Sequence, residues 1–392
     1  MKQKILMTLF GMLIGITSVW SQTDSTAPAP PPNSPSSGTK KLFLPGEAIT
    51  MYQYSSTKGT PDNSSFTPVQ ISMFPLVKVS DRIFFDGGIQ FGITDGGAVN
   101  VGLIEMMLYY RITPWMSAFV GNIAPHFGVY EGLLDDFTCR FGTGVAPVGM
   151  VHGPVNQNGV GIQGGFQAGY SKFTYQFYVV NGPQLITDTI THGAGNQSGE
   201  MSYGQVVDTK RAKGYGWHVG FLPFSNSRLE LTYSGEYTPT TVPDGSGLQN
   251  VSSTAMAFGL NYYQVFNPVM VRVIAEYDMI EASNANYTIP SSTGTDSSYT
   301  YKNKQNGWFS GATLRATGSK NNFIKNMEIA GRLGAYNPPQ NALWGGNQTT
   351  QTTFCVTEYL KWDLPLSLEY DVLKQAGSPD TKIFSAIAFF RF

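Results

Sequence analysis

Residues 382–392 read KIFSAIAFFRF, so that aromatic side chains run up to Phe392. Successive side chains of a strand point to opposite sides, which puts Phe384, Ala386, Ala388, Phe390 and Phe392 on one face. The other face carries Ile383, Ser385, Ile387, Phe389 and Arg391. A segment this apolar is poorly suited to solvated coil, and its backbone groups need partners. The reading is a final strand that pairs with the first one and closes a sheet on itself, leaving no edge to fray.

The same alternation recurs upstream. In DRIFFDGGIQFGI, residues 81–93, Ile83, Phe85, Ile89, Phe91 and Ile93 oppose Arg82, Asp86, Gly88 and Gln90. Leu229, Leu231 and Tyr233 oppose Arg228, Glu230, Thr232 and Ser234; Val271, Val273, Ala275 and Tyr277 oppose Arg272, Glu276 and Asp278. Leu366, Leu368 and Tyr370 oppose Ser367, Glu369 and Asp371. From Gly46 onward the period is two, not 3.6, wherever one can be read. Sandwiches and membrane barrels share that pattern.

The connections decide between them. Strands are predicted near 46–54, 67–79, 81–93, 97–112, 115–124, 159–170, 172–182 and 214–223. A second set falls near 226–237, 252–265, 268–280, 306–317, 322–336, 350–362, 365–374 and 379–392, giving about 16. Junctions after even-numbered strands are tiny, as at Val79 to Asp81, Thr113 to Pro114, Ser171 to Lys172 and Phe266 to Pro268. Most junctions after odd-numbered strands are long and polar, as at Gly182 to Lys213, Pro239 to Val251 and Glu281 to Lys304. A sandwich has no reason to sort loop length by parity. The expected fold is therefore all-β, a transmembrane antiparallel up-and-down β-barrel with short periplasmic turns and long extracellular loops.

The N-terminus supports export. Lys2 and Lys4 precede an apolar run from Ile5 to Trp20 and small Ser21, the order of a secretory signal peptide over residues 1–21. That run falls short of the about 20 apolar residues of a spanning helix, and no later stretch supplies one, so insertion must use strands. Residues 22–45, rich in Pro and Ser, read as a flexible periplasmic segment, and residues 46–392 as the outer-membrane barrel. Charged residues are 13% of the chain, against roughly 25% in a typical soluble domain, and aromatic residues are also 13%. Something other than water, namely outer-membrane lipid, should cover part of such a surface. Once Lys2 and Lys4 are removed, 23 basic residues face 26 acidic ones, a balance that points to no charged partner. Cys139 and Cys355 lack metal-ligand spacing; two free thiols are expected, although a disulfide is permitted outside the cytoplasm.

About sixteen strands enclose water rather than a filled core. The wet faces should line a channel passing small hydrophilic solutes or ions by passive diffusion. The expected pore-lining residues are Arg82, Asp86, Glu105, Arg111, Lys172, Arg228, Glu230, Arg272, Glu276, Arg315, Glu328, Arg332, Glu369 and Asp371, with Glu236 and Asp278 on the same faces. Seven are basic and nine acidic, consistent with at most a mild cation preference. The third external segment, residues 125–158, bears Phe127, Val129, Tyr130, Leu133, Leu134 and Phe137. That is too much apolar surface to wave in water, so the loop is expected to fold inward and narrow the bore. Its constriction residues would be His126, Tyr130, Glu131, Asp135, Asp136 and Arg140.

Other chemistries find little support. His126, His152, His192 and His218 come without H-x-E or H-E-x-x-H spacing, so no metal, cofactor or catalytic residue is expected. No basic stripe with interleaved aromatics suggests nucleic acid. The serine- and glycine-rich stretches 245–253 and 291–307 read as mobile solvated outer loops. The alternative function is a plugged, surface-exposed barrel acting in adhesion or as a structural outer-membrane partner.

In PLVKVSDRIFFDGGIQFGI (75–93), VNVGLIEMMLYYRITPWMSAFVGNIAPHFGVY (99–130) and NGVGIQGGFQAGYSKFTYQFYVVNGP (158–183), the chain resembles the phosphate-selective porin (O and P) superfamily. The resemblance implies a sixteen-stranded channel, usually a homotrimer, with Gly121, Pro125, Phe127 and Gly128 matching the stretch that leads into the third external loop. It also implies that the aromatic end at Phe392 is read by the barrel-insertion machinery. Asn122 stands where many members carry Lys or Arg. Seven basic against nine acidic lining residues do not form the cationic ladder that replaces a phosphate ion's hydration.

Overall fold

Sixteen antiparallel strands close into a ring in the computed structural model. The structure describes residues 41–392 apart from 94–97, 130–150, 152, 187–198, 205–207, 209, 243–250, 284–286, 290–296, 343, 345 and 361–363. In chain order the barrel strands are β1 (Gly46–Thr57), β2 (Asn63–Met73), β3 (Ile83–Ile93), β4 (Val99–Thr113), β5 (Met116–Ile123), β6 (Gln157–Ala168), β7 (Ser171–Val180) and β8 (Gly214–Leu222). The second half comprises β9 (Leu229–Thr238), β10 (Ser253–Phe266), β11 (Val269–Ala282), β12 (Lys304–Arg315), β13 (Met327–Asn337), β14 (Thr349–Tyr359), β15 (Pro365–Gln375) and β16 (Thr381–Arg391).

Each strand pairs with its successor, and β16 returns to β1 from Glu47↔Arg391 to Thr57↔Thr381. Gly46 and Phe392 extend the seam by exchanging two backbone hydrogen bonds, of 2.8 and 2.9 Å. Gly46 has a specific part here, because a Cβ at that position would overlap the Phe392 ring.

Side-chain alternation accounts for closure. Leu333, Phe354, Val160 and Phe258 face outward and are more than half exposed, whereas Ser234, Thr353 and Ser385 face inward and are fully buried. A water-soluble sheet would bury the first set. Here the apolar set forms a belt suited to lipid, and the polar set faces the interior. Register enforces the division, since directly opposed residues share a face: Leu368 meets Ala386 outside, and Glu369 meets Ser385 inside.

Three local features depart from expectation, each for a visible reason. The strand expected over 67–79 breaks at Phe74 and Pro75, where proline has no N–H for the ladder. Leu76–Lys78 then resumes pairing with β3. Its other edge is taken by Lys41–Phe43, which belongs to the stretch expected to be flexible. Finally, Asn322–Asn326 forms a helical turn rather than strand, started by the Asn321 side chain accepting the Phe323 N–H at 2.9 Å. Cys355 is a buried free thiol; Cys139 lies outside the described residues.

Candidate functional site: the barrel interior

After β5, residues 124–129 lie against the inner face of β7 to β11. The His126 N–H donates to Oε1 of Gln176 on β7 at 3.1 Å, and the Gly128 N–H to Oγ of Ser234 on β9 at 3.1 Å. The Val129 N–H donates to the Glu276 carboxylate on β11. Gly128 has φ +69°, and a Cβ there would overlap that carboxylate, so both the backbone and the space call for glycine. Burial holds the His126 imidazole below its ordinary pKa, which keeps it neutral at pH 7.

Ser234 ties the segment down. Its hydroxyl donates to the His126 carbonyl at 3.1 Å, and Nδ1 of His218 on β8 lies 2.8 Å away. One hydroxyl hydrogen serves only one of these two partners; when it goes to the carbonyl, Nδ1 carries its own hydrogen and donates. An imidazole protonated on that side cannot take the serine proton. The Ser–His contact thus belongs to the fastening of residues 124–129 on the wall.

Apolar contacts finish the anchorage. Phe127 and Val151 cluster with Ala255 and Ala257 of β10, Ile280 of β11 and Tyr336 of β13. Tyr203 packs against this cluster and also against a second one at the loop end of the barrel, made of Leu185, Met201, Val242, Val251, Ala282, Tyr301 and Trp344. The second cluster joins four external connections, and the Trp344 indole donates to the Tyr301 hydroxyl at 2.6 Å. Val251 and Tyr301 fall in stretches expected to be solvated and mobile; their apolar side chains are instead buried against neighbouring loops. Lys210 adds a polar clasp, its ammonium donating to the Gly182 and Pro183 carbonyls at 3.2 and 2.6 Å. Burial lowers its pKa to about 8, against the opposing pull of Asp208.

The charges expected along the pore occupy distinct heights. Arg82 and Arg228 stand exposed in the short turns, and the Arg82 guanidinium lies 3.5 Å from the hydroxyl of outward-facing Tyr110. They belong to the rim rather than the wall. Lys172 Nζ donates to Ser227 Oγ at 3.0 Å, and Arg111 covers the Phe84 ring at 5.3 Å. Arg315 donates to the Lys325 carbonyl at 2.9 Å and covers the Tyr359 ring at 4.7 Å. Arg272 Nε reaches Asn261 Oδ1 at 3.1 Å, beside Glu230. Further up, Arg332 donates to Thr353 at 3.3 Å, while Gln351 donates to Asp371 at 2.7 Å. Asp86, Glu276, Glu328, Glu369 and Asp371 are nearly fully buried; Glu105 is half-buried. Tyr130, Glu131, Asp135, Asp136 and Arg140 lie outside the described residues, as do His152 and His192.

Several interior residues escaped the sequence reading. Gln176, Ser234 and Gln157 are uncharged, and their partners are remote: 50 residues separate Gln176 from His126. Gln157 donates to Glu236 at 2.7 Å, where the Tyr178 hydroxyl also points. Wet-face parity was their only visible signal. Phe389, an aromatic side chain on the inward face of β16, lies under the Arg391 guanidinium at 4.9 Å and is almost fully covered.

A closed ring that is apolar outside and polar inside, with one loop segment tied to its inner wall, defines a porin-like outer-membrane barrel. No protein-family model matches the chain, and no curated protein matches it in sequence. Solved structures do match it in fold. The outer membrane channel DcaP of Acinetobacter baumannii superposes with a TM-score of 0.55 at 12% identity, covering 90% of this chain and 97% of that one. An anion-selective porin from Comamonas acidovorans gives 0.54 at 12%, covering 90% and 100%. Salmonella typhi OmpF, solved with daunomycin, gives 0.53 at 14%, covering 90% and 98%.

Proposed function

We propose that this barrel is an outer-membrane channel through which small hydrophilic solutes or ions diffuse passively. The observation that carries the reading is the inverted alternation around a closed ring, with amides, hydroxyls and charges lining the interior. Residues 124–129, fastened to β7, β9 and β11, narrow the bore from that side. The water path then runs along β1 to β4, where inward Gln53, Gln90 and Glu105 keep part of their exposure. Phosphate is a poor candidate solute, because acids interrupt the basic residues of the wall. A homotrimer, and recognition of the Phe392 end by the insertion machinery, complete the proposal on the strength of the family resemblance.

Purified protein in a planar bilayer should give steady conductance steps. Absence of steady current would favour the second reading, a plugged barrel. That reading draws on the apolar cluster across the external connections and on the near-complete burial of inward polar residues such as Ser234, Thr353 and Glu369.

A further inference from the structure

We infer that the inner wall of β2 to β4 carries a binding site for an uncharged, polyhydroxylated solute such as a saccharide, built from the carboxamides of Gln70, Gln90 and Asn100 around a bare floor at Gly92 and Gly102. The inference rests on the channel reading and names the class of solute that the open side of the bore would hold.

Register places these residues together. Phe91 and Val101 stand opposite one another on the lipid side, so the pairs on either side of them, Gly92 with Asn100 and Gln90 with Gly102, face the interior. Gln90 also lies opposite Ser72 of β2, which puts Gln70, two residues before Ser72, on the same face beside Gly92. Gln70 and Asn100 therefore flank Gly92 from the strands on either side. With neighbouring strands about 4.8 Å apart, their Cα atoms are roughly 10 Å apart, room for one sugar ring between the two amides.

The hollow is unfilled. Elsewhere on the inner wall, side chains cover the glycines: a Cβ on Gly161 would overlap the Phe119 ring, on Gly216 the Tyr178 ring, and on Gly220 the Thr174 hydroxyl. A Cβ on Gly92 or Gly102 would meet no described atom within 4 Å. Gly102 and Asn100 are exposed, and Gln70, Gln90 and Gly92 keep part of their exposure. The charges of β11 to β15 offer a solute much less, since Arg272, Glu276, Arg332, Glu369 and Asp371 are at most 7% exposed. Asp86, an inward acid of β3, is 4% exposed, while Glu105, opposite Gly88, stands half-buried at the turn-side border of the site.

Hydrogen bonding sets the class of solute. A carboxamide offers a carbonyl acceptor and two N–H donors, and a sugar hydroxyl both donates and accepts, so neighbouring hydroxyls pair with one amide in both directions. The Glu105 carboxylate can accept a further hydroxyl, and its charge disfavours anions. Amides hold such a solute less tightly than charged groups would, which suits a site that must also let go.

The test uses the full-length protein in planar bilayers, with maltotriose as the probe and a linear ethylene glycol oligomer of equal mass as the comparison. Maltotriose should reduce the steady ion current saturably, by roughly two-fold or more at saturation, because a bound ring occupies the narrowed bore. The oligomer, which carries hydroxyls only at its ends, should reduce it only as far as it thickens the solution. In the double variant Gln70→Leu, Asn100→Leu, with current normalised to its own unblocked value, the maltotriose concentration for half-reduction should rise roughly ten-fold, as expected for the loss of one or two hydrogen bonds. Gly102→Val, whose side chain enters open space and fills the floor, should give a shift in the same direction. Equal reduction by the two probes, no reduction by either, or a half-reduction concentration unmoved in the variants overturns the inference and leaves the channel reading standing. Absence of any steady current from the unaltered protein overturns both. Should both variants fail to fold, judged by loss of heat-modifiable gel migration, the unaltered protein's response to the two probes decides alone.

Discussion

Gly128 is doubly constrained, by its backbone and by its neighbours. Its φ of +69° disfavours any L side chain by roughly 1–2 kcal/mol. An added methyl would also displace the Glu276 carboxylate from the Val129 N–H. Gly128→Ala should therefore loosen residues 124–129 while leaving the ring intact: single-channel noise rises, but heat-modifiable migration persists. Unchanged noise would mean that this segment does not border the conducting path. Lys210 makes a different case, because its charge is titratable. Its ordinary pKa of 10.5 falls to about 8 in the clasp. Below pH 8 the clasped and released states are both protonated. Between about 8 and 10.5 the released state binds more protons, so the clasp gains stability as pH rises. Protection of the Lys210 and Gly214 amides, corrected for intrinsic exchange, should increase from pH 7.5 to 9.5 and stay flat in Lys210→Met. Protection that falls over that range would contradict the sign.

Strands were legible because each carries its own two-fold pattern. β11 shows this: Val271, Val273 and Tyr277 outside and Arg272, Glu276 and Asp278 inside are all local information. What was not legible depended on distant neighbours. Nothing in the sequence around Val251 or Tyr301 says that Leu185 and Trp344 wait to bury them. The fastening of residues 124–129 was hidden for the same reason, since Val129 and Glu276 are 147 residues apart. Two substitutions separate the roles of wall and cap. Leu333 lies mid-strand on the lipid face of β13, and Leu333→Arg should cost about 2–4 kcal/mol near the bilayer midplane, read as a lower urea midpoint in lipid vesicles. Tyr203→Ala should leave that midpoint nearly unchanged, because the ring joins the inner-wall cluster to the loop-end cluster while the strands stay paired through their own backbone ladders. Its effect should appear as faster protease cleavage of the external connections. A Tyr203→Ala protein as resistant as the parent would show that the two clusters hold independently.

At the scale of the whole molecule, everything inward depends on the seam between β16 and β1. Its existence could be argued from residues 382–392, because an apolar alternating segment with unpaired backbone needs a neighbour. Its register could not, since a shift of two residues keeps every side chain on the same face and leaves the pattern unchanged. The structure resolves the register through Gly46, where the absent side chain admits the Phe392 ring, and through Ser55, which stands directly opposite Ile383. Directly opposed residues have Cα atoms roughly 4.5–5.5 Å apart, within the range a disulfide can bridge. A Ser55→Cys, Ile383→Cys pair, in a background with Cys139→Ser and Cys355→Ser, should therefore oxidise readily once the barrel has assembled. After full denaturation that bond would hold most of the chain in one covalent loop, and the band should migrate differently until reductant is added. The offset pair Ser55→Cys, Ser385→Cys, two residues out of register, should cross-link far less. Equal cross-linking of both pairs would mean a seam that slides, and cross-linking of neither would mean an open sheet, with its interior no longer separated from lipid.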